Sequence, residues 1–232
     1  MDYWQVRLKG KEPHIKDVSN LWVSAENSIL KENEEWHLKS ALFDKLTTAL
    51  DVMNVATGII EKVNDVFFFY QDSSPIEIDN VVRIDENGVP HHYDLLKFNV
   101  SAGNLRITAS PSTSPHDETP RIINPVSSLY NIATTDKAVS DALHFYRKND
   151  WVSLYKVYEI IRDDVGDIKK RNYEGISDKE INQFTGTAQS RSALGDNARH
   201  AAKKYSMPDP MKPHEAKKFI RTLIEKWCLQ KA

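Results

Sequence analysis

The chain has little cysteine: Cys228 is the only one among 232 residues. No intramolecular disulfide can form, and without a Cys-X-X-Cys pair a cysteine-based zinc site within one chain is excluded. No apolar run approaches the roughly 20 residues that a membrane helix needs. The opening stretch MDYWQVRLKG has no apolar core behind basic residues, so no secretory leader is read there. Together these absences predict a soluble, cytoplasmic protein of a reducing compartment, with no membrane partner. There is also no Gly-X-Gly-X-X-Gly, no Walker A loop, no Gly-X-Ser-X-Gly and no His-Glu-X-X-His. P-loop hydrolysis and hydride transfer on a Rossmann fold are disfavoured, and neither a metal nor a cofactor is expected.

What is present is an ordinary globular composition, with 40% hydrophobic and 28% charged residues, enough for a packed core. The net charge of -2 hides an asymmetry. Residues 1–120 hold 11 Lys+Arg against 19 Asp+Glu, a balance of -8, and residues 121–232 hold 20 against 14, a balance of +6. Two readings follow: the halves attract each other, or the second half offers a basic face to a polyanion.

Periodicity divides the chain at about residue 120. Tyr3–Leu8 alternates apolar and polar as a half-buried strand does. HIKDVSNLW suits a short helix, and SILKENEEWHLKS suits two strands with a turn at Asn33. From Ser40, a plausible N-cap, a helix is expected to run to Asn64, with Leu42, Leu46, Ala49, Met53, Ala56, Ile60 and Val63 as its buried stripe. VFFFY, residues 66–70, then suits a central strand. Asn87-Gly88 between two β-rich runs signals a hairpin, and NLRITAS at 104–110 suits another strand. SPSTSPHDETP, residues 110–120, is a linker by composition. Helices follow at Asp136–Lys148, after the cap Asp150, after the capping box Ser177–Glu180, at Arg191–Tyr205, and from Pro213 to beyond Trp227. The expected fold is α+β: an N-terminal antiparallel sheet with one long packed helix over 1–120, then an all-helical bundle over 121–232.

The chemistry concentrates in RSALGDNARHAAKKYSMPDPMKPHEAKKFI, residues 191–220. As one helix, Arg191–Tyr205 would bury Leu194, Ala198, Ala201 and Tyr205, which fall within about 60° of each other. Arg191 and His200 would point to nearly opposite sides unless Gly195 breaks the helix, while Asp196 and His200 would meet. A carboxylate beside His200 suits a general acid or a phosphate contact, and equally an exposed helical pair. The cations Arg199, Lys203, Lys204, Lys212, Lys217, Lys218 and Arg221 span two neighbouring helices. Phosphate binding needs such a surface. Interleaved acids, and the absence of regularly spaced aromatics, also fit a plain solvated face.

The LYKVYEII helix, the Arg/His-bearing helix and the final Trp-ended helix together resemble the HEPN group of prokaryotic helical domains, over about residues 135–230. Many members of that group are metal-independent ribonucleases or partners in toxin and defence systems. The resemblance implies a HEPN-like bundle with Arg191, Arg199 and His200 as the catalytic set. Eight residues separate Arg191 from His200, more than the group's Arg–His motif carries.

Other polar residues read as structural. His92 and Asp94 can share a strand face, with His91 on the other. His116 lies in the linker, His144 flanks the apolar side of its helix, and Cys228 beside Trp227 is a small packing residue. Two functions stay open. One is a non-enzymatic binding or assembly module in stress or defence, which oligomerises or takes a protein partner. The other is a HEPN-type ribonuclease in which His200 moves the proton and an Arg steadies phosphorane-like charge on nucleic acid.

Overall fold

A computed structural model describes residues 2–22, 24, 26–94, 124–171, 173–198 and 207–231. The chain divides into two compact units, Met1–Gly58 with Ile76–Asn124, and Ile59–Pro75 with Pro125–Ala232. The second unit thus takes in a segment that a division at residue 120 would leave with the first.

The first unit is built on five strands: β1 (Tyr3–Lys9), β2 (Asn27–Glu32), β3 (Glu35–Ser40), β4 (Glu77–Ile84) and β5 (Pro90–Tyr93). Their order is β2-β3-β1-β4-β5, and each neighbouring pair is antiparallel. The two hairpins form where the sequence supplies residues that tolerate a left-handed backbone. Asn33 and Glu34 both have positive φ, as a two-residue β2–β3 turn requires. Gly88 has φ +79, and the Asp85 carboxylate accepts the Asn87 and Val89 N–H groups at 2.9 Å each. The Val89 bond first, then the hydrogen bond with His91 and the Asn87 bond, hold the Asp85 carboxyl below its usual pKa.

Register gives the sheet two unlike faces. Val6, Leu38 and Val81 stand side by side and are wholly buried, with Ile29 beside Leu38. Helix α1 (Glu12–Leu21) buries Ile15 and Val18. Its Glu12 accepts the indole N–H of Trp36 at 2.7 Å, and its Ser19 hydroxyl donates to the Ile29 carbonyl at 2.9 Å. On the opposite face the row across β3, β1 and β4 is His37, Arg7 and Asn80.

The helix expected from Ser40 is interrupted. Ser40 does cap, accepting the Leu42 N–H, but only a 3-10 turn, Ala41–Lys45, follows. Helix α2 begins at Ala49 and runs to Gln71, past the stop expected at Asn64. VFFFY at 66–70 is therefore helical and not a strand. Asn64 and Asp65 are buried, and Asp65 is paired with Arg147, so these polar residues sit inside the helix with a partner at hand. Apolar residues all round that helical stretch mark burial on more than one side. Residues Ala49–Gly58 of α2 belong to the sheet unit and Ile59–Gln71 to the helical unit.

The helical unit continues with α3 (Pro125–Thr135), α4 (Lys137–Lys148), α5 (Trp151–Val165), α6 (Ile168–Arg171), α7 (Asp178–Gln189), α8 (Arg191–Leu194) and α9 (Pro213–Cys228). Local chemistry sets the ends. Asp136 and Asp150 accept first-turn N–H groups of α4 and α5, Gly166 closes α5 at φ +81, and Ser177 with Glu180 forms the capping box of α7. Inside, the Phe184 ring lies 5.8 Å from Trp151 and 5.0 Å from Phe219. Trp227 is fully buried and donates to Asp164 at 2.8 Å. Lys231 lies 2.6 Å from Asp136 and 3.0 Å from Asp164, tying α4, α5 and the end of α9 together. The architecture is α+β, an antiparallel sheet with a long helix and then a helical region. No described helix is long and apolar enough to cross a membrane. NLRITAS and the 110–120 stretch lie outside the described residues.

Candidate functional site

The continuous helix expected over Arg191–Tyr205 does not form. Helix α8 stops at Leu194, Gly195 takes φ +59, a 3-10 turn covers Gly195–Asn197, and Ala198 is extended. Glycine adopts that left-handed backbone without the Cβ strain other residues meet there. The buried stripe drawn through Leu194 and Ala198 therefore lapses. Arg191 is exposed, and its guanidinium lies 3.4 Å from the Asp196 carboxylate, a partner that the helical reading gave to His200. Arg199, His200, Lys203 and Lys204 lie outside the described residues. The chain on either side of them is fixed to the end of α7. Ser190, fully buried, accepts the Met207 N–H at 3.4 Å, and the buried Thr187 hydroxyl accepts the Met211 N–H at 2.9 Å. Gln183 adds a bond to the Asp209 carbonyl at 3.1 Å.

The described cations of the basic set divide into engaged and exposed. Lys217 sits 2.6 Å from Asp72 and 4.8 Å above the Phe68 ring. Arg221 lies 3.1 Å from Glu225 and over the Phe69 ring. Both are committed to acids and rings of their own unit. Lys212, at the start of α9, and Lys218 are exposed.

His91, His144 and Cys228 are engaged within the fold. His91 lies 3.2 Å from Asp85, across its own hairpin, while His92 and Asp94 are exposed. His144 approaches buried Asp65 at 3.7 Å, beside the Arg147 pair. Burial pushes the Cys228 thiol up to about 12, which leaves no thiolate for nucleophilic attack near neutral pH. Among the described residues, no group of three or more His, Cys, Asp and Glu stands close enough to hold a metal ion.

A more site-like arrangement lies in the sheet unit, where β1 begins and β3 ends. A cleft of about 310 Å³ is lined by Tyr3, Trp4, Asn27, Ser28, Lys39 and Asp44, among others. An adjoining hollow of about 190 Å³ shares Tyr3, Trp4 and Asp44 and adds Arg83. Trp4 is held rigidly. Its indole N–H donates to the Leu46 carbonyl at 3.0 Å, Tyr93 packs 5.6 Å away, and the Arg83 guanidinium lies 5.8 Å over the ring. In the same unit, on the face opposite Val6, Leu38 and Val81, lie Gln5, His37 and Asn80, only 5 to 7% exposed. Each has a buried side-chain atom without a hydrogen bond: Gln5 Oε1, His37 Nδ1 and Asn80 Oδ1. Burial lowers the His37 pKa, so its imidazole is neutral at pH 7.

Sequence reasoning missed this set. Its members stand at 5, 37 and 80 on three strands, and only register makes them neighbours. In the sequence each is one polar residue in an alternating strand, the pattern of a solvated face. No family model, curated protein or solved structure matches the chain.

Proposed function

We propose that this protein is a non-enzymatic binding and assembly module that recognises its ligand or partner through the sheet unit. The observation that carries this reading is the set of three buried, unpaired polar atoms at Gln5, His37 and Asn80, in the same unit as an aromatic cleft. An unpaired buried polar atom costs roughly 1–3 kcal/mol, and such groups persist where a bound molecule repays them. The engagement of Lys217 and Arg221 within the helical unit supports the same reading, because it leaves fewer cations for phosphate.

Native mass spectrometry of the protein purified from its own cells tests it. The expected spectrum contains a co-purifying small molecule, a second protein or a homo-oligomer. A bare monomer that cleaves RNA, with cleavage abolished by His200→Ala, would overturn it in favour of the ribonuclease.

A further inference from the structure

We propose that helix α2 is a hinge: it bends at Thr57–Gly58 and lets the sheet unit and the helical unit change orientation relative to each other. The proposal goes beyond the binding reading and stands whatever the sheet unit binds.

The chain passes between the units three times, after Gly58, after Pro75 and after Asn124. Two of these crossings fall between elements. One lies in the stretch that joins α2 to β4. The other is the single peptide link Asn124–Pro125, where α3 begins. The Asn124 side chain donates to the Leu21 carbonyl of the sheet unit, and the Pro125 carbonyl accepts the Tyr70 hydroxyl of the helical unit at 2.9 Å. Both crossings carry a proline, which has no N–H with which to brace the link. Only the crossing at Gly58 runs through a regular element, so α2 sets the stiffness of the joint.

Boundaries between compact units ordinarily fall in linkers. This one falls inside a helix, at the place where that helix is weakest. Gly58 is the only glycine of α2, and in a helix interior only proline is less favourable. Packing does not call for it. A Cβ placed there would meet no described atom within 4 Å beyond its own stretch of helix, so an alanine fits. Thr57 adds a second weakness. Its hydroxyl donates to the Met53 carbonyl at 2.8 Å, drawing on an acceptor of the helical ladder. Such back-bonding bends helices, and a glycine beside a small hydroxyl residue is a recurrent kink site. The helix is anchored on either side. Val55 and Ala56 are buried before the boundary and Ile59 and Ile60 after it, while Thr57 and Gly58 are half-buried. The anchors move with their units, and the two residues between them absorb the change in backbone angles.

Double electron–electron resonance on the full chain tests the hinge. Spin labels at Lys16→Cys in α1 and Lys179→Cys in α7, both exposed positions, report across the units, with Cys228→Ala removing the native thiol. Labels at Lys156→Cys and Lys179→Cys report within the helical unit. The cross-unit distance distribution is expected to be the broader of the two. Gly58→Ala should narrow it and leave the within-unit distribution unchanged. In the chain without labels, Gly58→Ala should slow amide hydrogen exchange over residues 58–62 about fivefold, the difference in helix propensity between alanine and glycine. A cross-unit distribution as narrow as the within-unit one overturns the hinge. So does a broad one that Gly58→Ala leaves unchanged while exchange slows, because the motion then lies at the other crossings. Neither result alters what native mass spectrometry says of binding.

Discussion

The two units treat buried polar groups in opposite ways. In the helical unit, buried Asp65 meets Arg147, Thr187 and Ser190 accept backbone N–H groups, and Trp227 donates to Asp164. No described residue of that unit leaves a buried side-chain polar atom without a hydrogen bond. In the sheet unit, Gln5, His37 and Asn80 each leave one. A satisfied network rigidifies a core, whereas an unsatisfied one lowers stability unless something outside the fold completes it. The contrast separates a unit whose described buried side-chain polar groups are all paired from one that leaves three acceptors open.

Substitutions can break or sharpen that contrast. The largest effect is expected at Trp227, whose change to Ala should cost about 3–5 kcal/mol in denaturant unfolding, because the ring is fully buried. A loss under about 1 kcal/mol would make α9 peripheral to the helical core. Arg147→Ala should cost about 3 kcal/mol, since it strands the Asp65 carboxylate in a buried site. Asn80→Leu should move the opposite way, raising the stability of the ligand-free protein by about 1 kcal/mol by removing an orphaned acceptor. If it destabilises as strongly as Arg147→Ala, the two units do not differ in kind.

The smallest effect concerns pH. Burial lowers the folded His37 pKa below its ordinary 6.5, so the unfolded chain takes up the proton more readily. This contribution to stability is present above about pH 6.5 and declines as the pH falls below it. Unfolding curves collected across that range should show the decline in the native sequence and a shallower one in His37→Gln.

Local chemistry made much of the fold legible. Asn87-Gly88, Asp150, the Ser177–Glu180 box and Pro213 each act within a few residues, and each sits where the sequence put it. The errors arose where distant partners decide. Asn64 looks like a helix stop, yet the next residue finds Arg147 and the helix continues for another turn and more. The Arg191–Tyr205 helix looked continuous by its apolar spacing, but Gly195 at positive φ ends it after a single turn. The candidate site was the least legible part, because strand pairing between residues more than 30 apart assembles Gln5, His37 and Asn80. No periodicity within one segment encodes that neighbourhood.

Helix α2 belongs to both units, and this shapes how the chain is made and how it can be cut. The sheet unit is discontinuous: β4 and β5 are synthesised only after Ile59–Pro75, which belongs to the other unit. On the ribosome β1 must therefore wait for its β4 neighbour while an apolar helical segment containing Val66, Phe67 and Phe69 emerges between them. Strand pairing across such a gap is slow and leaves sticky surface exposed meanwhile. No single cut isolates either unit. A fragment ending after residue 124 would carry those three side chains without the α4 and α9 neighbours of their own unit. Deleting 59–75 would remove part of the helical core and so would not yield a clean excision.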